Sequence, residues 1–200
     1  MRHAIVLLLA LAVAMPAAAA EWKVDHAKSM VGFSLDWQDR PFNVLFRKWS
    51  ADIRFDPDDL AHAQARVTID LSSVTSGVHD MDTAMAGPEG FAADHAPKAE
   101  FVTSWIRATG EDRYEARGVL TIKGASRAIT LPFTLRIKGR KAHMVGSAQI
   151  VRTDFGIGMG RWASDNPVAR VVRIFVDLTA TKAPQTKEKK KEQKKEKAAP

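Results

Sequence analysis

Apolar and polar residues alternate along most of this chain with a period of two, the spacing that sends successive side chains to opposite faces of a strand. The clearest case lies between Gly118 and Ile137. Gly118, Leu120 and Ile122 fall on one face, with Val119, Thr121 and Lys123 on the other. After the Lys123-Gly124-Ala125-Ser126 link, Ile129, Leu131, Phe133, Leu135 and Ile137 form a second apolar face. The link's glycine suits a tight turn that needs positive φ, so the segment predicts a β-hairpin.

The same period predicts strands over residues 22–25, 30–36, 43–55, 65–71, 99–109, 113–123, 128–138, 141–153 and 169–181. Several exceed the usual strand length, which suits a curved, closed sheet better than a flat one. Gly110-Glu111-Asp112 and Gly139-Arg140 stand where antiparallel turns belong. The expected fold is therefore all-β, an antiparallel up-and-down barrel of about eight strands. One interval, 72–98, breaks the rhythm. Its His79 to Ala86 stretch predicts a short helix, used as a lid over one barrel end.

A barrel of about eight strands is near the size at which one small ligand fits inside. Small residues among larger ones on the predicted inner faces leave room for it: Ala116 and Gly118 precede Leu120 and Ile122, and Met144, Gly146, Ala148 and Ile150 share another face. With Phe33, Leu131, Phe133 and Phe175 these are the candidate lumen residues. The alternative is that the glycines only permit tight coiling around a solid core.

Composition narrows the setting. Arg2 and His3, an apolar run from Ala4 to Met15, Pro16 and alanines to Ala20 read as a cleavable export leader, with the mature chain starting at Glu21 in the periplasm. The expected organisation is a leader over 1–20, one domain over 21–181 and a tail over 182–200. That tail holds eight lysines and three glutamates without apolar periodicity; the composition predicts disorder. Most of the formal charge of +7 sits there, leaving a body near neutrality. Nucleic acid is therefore not expected as a partner. A second use of the tail is peripheral contact with anionic envelope surfaces, which gives the alternative function of a non-catalytic envelope stress or interaction protein. A homodimer is a further expected arrangement, because an imperfectly closed barrel can pair at an edge.

Catalytic chemistry finds little support. There is no cysteine and no Gly-x-Ser-x-Gly elbow. His79, Asp80 and Asp82 are metal-ligand types, but neighbouring helix positions diverge and no histidine follows at i+4. No metal, cofactor or enzymatic activity is expected. Gly156-Ile-Gly-Met-Gly160 reads as a loop before the last strand. Around it, Arg152, Asp154, Arg161, Trp162, Asp165 and Arg170 supply either internal ion pairs or contacts to an anionic headgroup. Trp22, Trp37, Trp49, Trp105 and Trp162 are candidates for an entrance rim or for core packing.

A set of phrases in order resembles the YceI-like family of periplasmic lipid-binding proteins. These are Trp22-Lys-Val-Asp-His26, Ser29-Met-Val-Gly-Phe33, Ile53-Arg-Phe-Asp56, Val67-Thr-Ile-Asp-Leu-Ser-Ser-Val74, Pro97-Lys-Ala-Glu-Phe101, the 118–133 hairpin, Asp154-Phe-Gly-Ile157 and Val172-Arg-Ile-Phe-Val176. The resemblance implies a lipocalin-like barrel whose long apolar cavity takes polyisoprenoid chains, in some members a prenyl pyrophosphate or a quinone-like molecule, for storage, sequestration or transport of an amphiphile. The chain departs from the family pattern at His95-Ala96 before Pro97 and at Gly87-Pro-Glu-Gly90, both in the expected lid.

Overall fold

Among the described residues eleven strands form one antiparallel sheet, and pairing between the strands that come first and last along the chain closes that sheet on itself. The computed structural model describes residues 19–38, 40–165 and 167–184. Residues 1–18 of the expected leader and 185–200 of the expected tail lie outside them. In chain order the elements are β1 (Glu21–Val24), β2 (Met30–Trp37), β3 (Arg40–Phe46), β4 (Trp49–Arg54), β5 (Gln64–Asp70), β6 (Val74–Thr75), α1 (His79–Ala86), β7 (Lys98–Gly110), β8 (Arg113–Ile122), β9 (Ala125–Lys138), β10 (Lys141–Val151) and β11 (Val171–Lys182).

The eleven segments make eight staves. β1 and β2 both pair with β11, at Ala180–Lys182 and Arg173–Asp177 respectively, so they are one path bent at His26–Lys28. β3 pairs with β2 and β4 with β1, which makes β3 and β4 the next path. β5 follows on β4 and β6 on β3. From there β7 to β11 pair as simple neighbours. The result is the closed eight-stranded up-and-down barrel expected from the period-two pattern.

The expected single strand over 43–55 is in fact two, interrupted at Arg47 and Lys48. The interruption has a partner. Arg47 N donates to Ser73 O at 3.1 Å and Lys48 N to Ser73 Oγ at 3.0 Å, so the break in one stave is held against the break at Leu71–Ser73 in the next. Neither position carries glycine or proline, so no local breaker announces it. In the first stave the bend is capped by Asp25, whose carboxylate accepts from Ala27 N.

The hairpin between β8 and β9 closes as its sequence predicts, Ile122 opposite Ala125 across a two-residue turn. Lys123 and Gly124 both have positive φ, 51° and 77°, the requirement of a turn whose twist matches its strands. Inward positions of the hairpin are buried at Ala116, Gly118, Leu120 and Ile122, and at Leu131, Phe133 and Leu135. The chain reversals divide between two ends. One end carries the β2–β3 turn, α1 with the segment after it, the Lys123-Gly124 turn and the long 152–170 loop; the other carries the remaining tight turns.

Candidate ligand-binding cavity

The two ends of the barrel are packed differently. At the tight-turn end, Trp22 is buried and donates from Nε1 to Phe55 O at 2.8 Å, while Tyr114 stacks on Phe133 and meets Phe55 edge-on. At the other end Phe91, from the segment after α1, packs against Phe33 and Phe46 with ring centroids 5.9 and 5.7 Å away. A cavity of about 430 Å³ runs between these two clusters, bordered by Trp22 and Ile137 from one and by Met85 and Phe91 from the other. That volume falls within the ordinary range for a small-molecule site.

Nine of the twelve lumen candidates border this cavity. Ala116, Leu120 and Ile122 do so from β8, Leu131 and Phe133 from β9, and Met144 and Ile150 from β10. Phe33 and Phe175 complete the group; the Phe175 ring also packs across Gly32, its partner in the β2–β11 pairing. Gly118, Gly146 and Ala148 stay behind the wall. A Cβ on Gly118 would stand 2.7 Å from the Phe101 ring, and one on Gly146 would stand 2.9 Å from Phe133 Cβ. At Gly118 the missing Cβ makes room for the Phe101 ring, and at Gly146 for the Phe133 Cβ and the Pro132 carbonyl of the paired strand. Ala148 packs within the cluster around Leu131 and Phe133.

Period-two reasoning also applied to Ile53, Val67, Ile69 and Ile106, which border the cavity and were not among the candidates. The lid contributes Met81, Ala84, Met85, Gly90 and Phe91, so the helix expected over His79–Ala86 forms and faces the lumen. The tryptophans divide: Trp22 sits deep, Trp37 and Trp162 meet at the mouth with centroids 6.2 Å apart, Trp49 packs on His26, and Trp105 is exposed under Arg107.

Among the described residues the wall is apolar except at one place. Thr103 is satisfied by the Ala65 backbone; the charged residues on the wall are Glu89, Arg152 and Arg161, all at the mouth. Arg152 is only 4% exposed. Its Nε donates to Ala169 O, its Nη1 to Ile157 O and Gly158 O, and its Nη2 to Trp162 O, Ser164 O and Val168 O. Burial pulls this guanidinium below its ordinary value, with nearby Asp165 opposing. Glu89 Oε2 accepts from Trp162 Nε1 at 2.8 Å and from Arg161 Nη2 at 3.0 Å, and Glu89 O accepts from Gly158 N at 2.7 Å. Those bonds, Trp162 first and Arg161 second, hold its carboxyl below the usual glutamate value. Lys123 Nζ donates to Gly90 O at 2.9 Å, Gly156 O at 3.0 Å and Pro88 O at 3.3 Å. Lid, hairpin turn and loop are thus tied to one another around the entrance. No sequence pattern marks Glu89, whose carboxylate partners lie more than seventy residues away.

A lidded antiparallel barrel with a continuous apolar lumen is a lipocalin-like architecture. The chain belongs to the YceI-like family, whose domain matches residues 22–180. It is 36% identical to BcnA of Burkholderia cenocepacia, whose crystal structure superposes with a TM-score of 0.77 over 80% of this chain and 100% of that one. A polyisoprenoid-binding domain from Saccharophagus degradans shares the fold at 14% identity, with a TM-score of 0.67 over 82% of this chain and 99% of that one. A UPF0312 protein of Pseudomonas savastanoi pv. phaseolicola is 24% identical over 67% of this chain and 70% of its own length.

Proposed function

We propose that this protein holds one long apolar molecule, an isoprenoid or a similar amphiphile, in its barrel lumen and sequesters or carries it through the periplasm without chemical change. The observation that carries the reading is the continuous apolar cavity reaching from Phe91 under the lid to Trp22 at the opposite end. Burying a methylene is worth roughly 0.8 kcal/mol, so a chain of ten or so offsets a large ordering cost. Likeness to a polyisoprenoid-binding domain supports the ligand class. The leader pattern of residues 1–20 supports the compartment.

The direct test is organic extraction and native mass spectrometry of protein purified gently from its own envelope. A stoichiometric isoprenoid or comparable long-chain species is the expected result. A protein that is empty as isolated, and that takes up no such chain when offered one, overturns the proposal.

A further inference from the structure

The sequence left the basic residues of the 152–170 loop two uses, internal pairing or reception of an anionic headgroup, and their hydrogen bonds separate the two. We infer that the lumen's ligand carries an uncharged, hydroxyl-type headgroup, and that the mouth discriminates against the same chain ending in a phosphate or diphosphate. This rests on the apolar-ligand reading above and adds the chemistry of the ligand's polar end.

Diphosphate recognition needs cations with free donors aimed at the ligand. Arg152 borders the cavity, but all five of its N–H groups are taken by backbone carbonyls of its own loop. Lys123 beside the lid spends its three donors on Pro88, Gly90 and Gly156 carbonyls. Arg170 is paired with Asp165 at 2.8 Å. Among the described residues, Arg161 is the cation on the wall that keeps open N–H groups, and its charge is already matched by Glu89 at 3.0 Å. An anion arriving there meets a carboxylate as near as the guanidinium.

Glu89 and Arg161 instead offer a neutral group one acceptor and one donor side by side. Glu89 Oε2 receives both Arg161 and Trp162, while Oε1 accepts no bond among the described residues. A hydroxyl uses both edges, donating to Glu89 and accepting from Arg161. A headgroup that only accepts uses one, and a diphosphate is repelled by the other.

The test compares geranylgeraniol, its methyl ether and geranylgeranyl diphosphate at one ionic strength, with binding read from the fluorescence of Trp37 and Trp162. The alcohol is expected to bind about tenfold tighter than either derivative, one charge-assisted hydrogen bond being worth about that factor. Glu89→Gln keeps an acceptor for Trp162 and removes the charge; it should weaken the alcohol about threefold and strengthen the diphosphate about tenfold. Arg161→Gln, a second and independent variant, should weaken the diphosphate further. Diphosphate binding as tight as the alcohol's in the unaltered protein, or an alcohol-to-diphosphate ratio unmoved by Glu89→Gln in a folded protein, overturns this inference alone. Failure of all three chains to bind overturns the lumen reading and this inference with it.

Discussion

Arg152 gathers six backbone carbonyls onto one guanidinium, from Ile157 and Gly158 on one side and Trp162, Ser164, Val168 and Ala169 on the other. A loop with little regular structure is held in shape by a side chain where a sheet would use a ladder. Arg152→Met takes the guanidinium donors away from these part-buried carbonyls, and should cost about 3 kcal/mol in urea unfolding. Arg152→Lys should recover little, because three donors on one atom cannot reach carbonyls spread around a planar fork. Gly118 is a residue-scale constraint of another kind. A Cβ there would sit 2.3 Å from Val102 O as well as against Phe101. Gly118→Ala should destabilise by about 2 kcal/mol, and Phe101→Leu should not rescue it, since the backbone carbonyl stays where it is. Sequence periodicity placed Gly118 on the inner face correctly. What it could not convey is that the space above the glycine belongs to Phe101.

Among the elements, the strands were far more legible than the lid's fastening. A strand announces itself within ten residues through alternation, and a two-residue turn through its glycine. The break at Arg47-Lys48 has no such signal because Ser73, a residue of the neighbouring stave, holds it. The latch of Glu89 on Arg161 and Trp162 is equally remote in sequence. It also titrates. Glu89 has its folded value depressed, so its bonds stabilise the closed lid above the unfolded value and are lost as pH falls through the folded one. Asp82 behaves alike: burial raises its value, but the bonds from Ser76 side chain and backbone and from Thr75 outweigh burial and hold the start of α1. Ligand release should therefore accelerate, and hydrogen-exchange protection at residues 87–91, taken relative to the intrinsic rate at each pH, should fall as pH drops below 4.5, the ordinary glutamate value. Glu89→Gln should remove part of that dependence and leave the part due to Asp82. Profiles of the two proteins that coincide across this range would show that the latch is not formed in solution.

At the scale of the whole molecule, closure of the sheet makes every inward side chain a neighbour of one shared space, so room for a ligand depends on how far that space stays unfilled. Alternation identifies which residues face inward and says nothing about the sum of their volumes. That is why the sequence is compatible with both an open lumen and a solid core, and the one continuous cavity bordered by Trp22 and Phe91 is what separates them. The distinction can be tested with one strand. Ala116 faces the cavity from β8, and Val119, three residues on, faces outward and is 41% exposed. Ala116→Phe places a ring in the lumen at a site with open volume beside it, so the added bulk should occupy ligand space with little strain. It is expected to reduce binding of geranylgeraniol more than tenfold while shifting the unfolding midpoint by no more than about 1 kcal/mol equivalent. Val119→Phe adds a comparable ring to the outside of the same strand and should leave both quantities within error. Equal loss from the two substitutions would place the apolar ligand on the barrel's surface, and loss from neither would mean that it does not enter the lumen near Ala116.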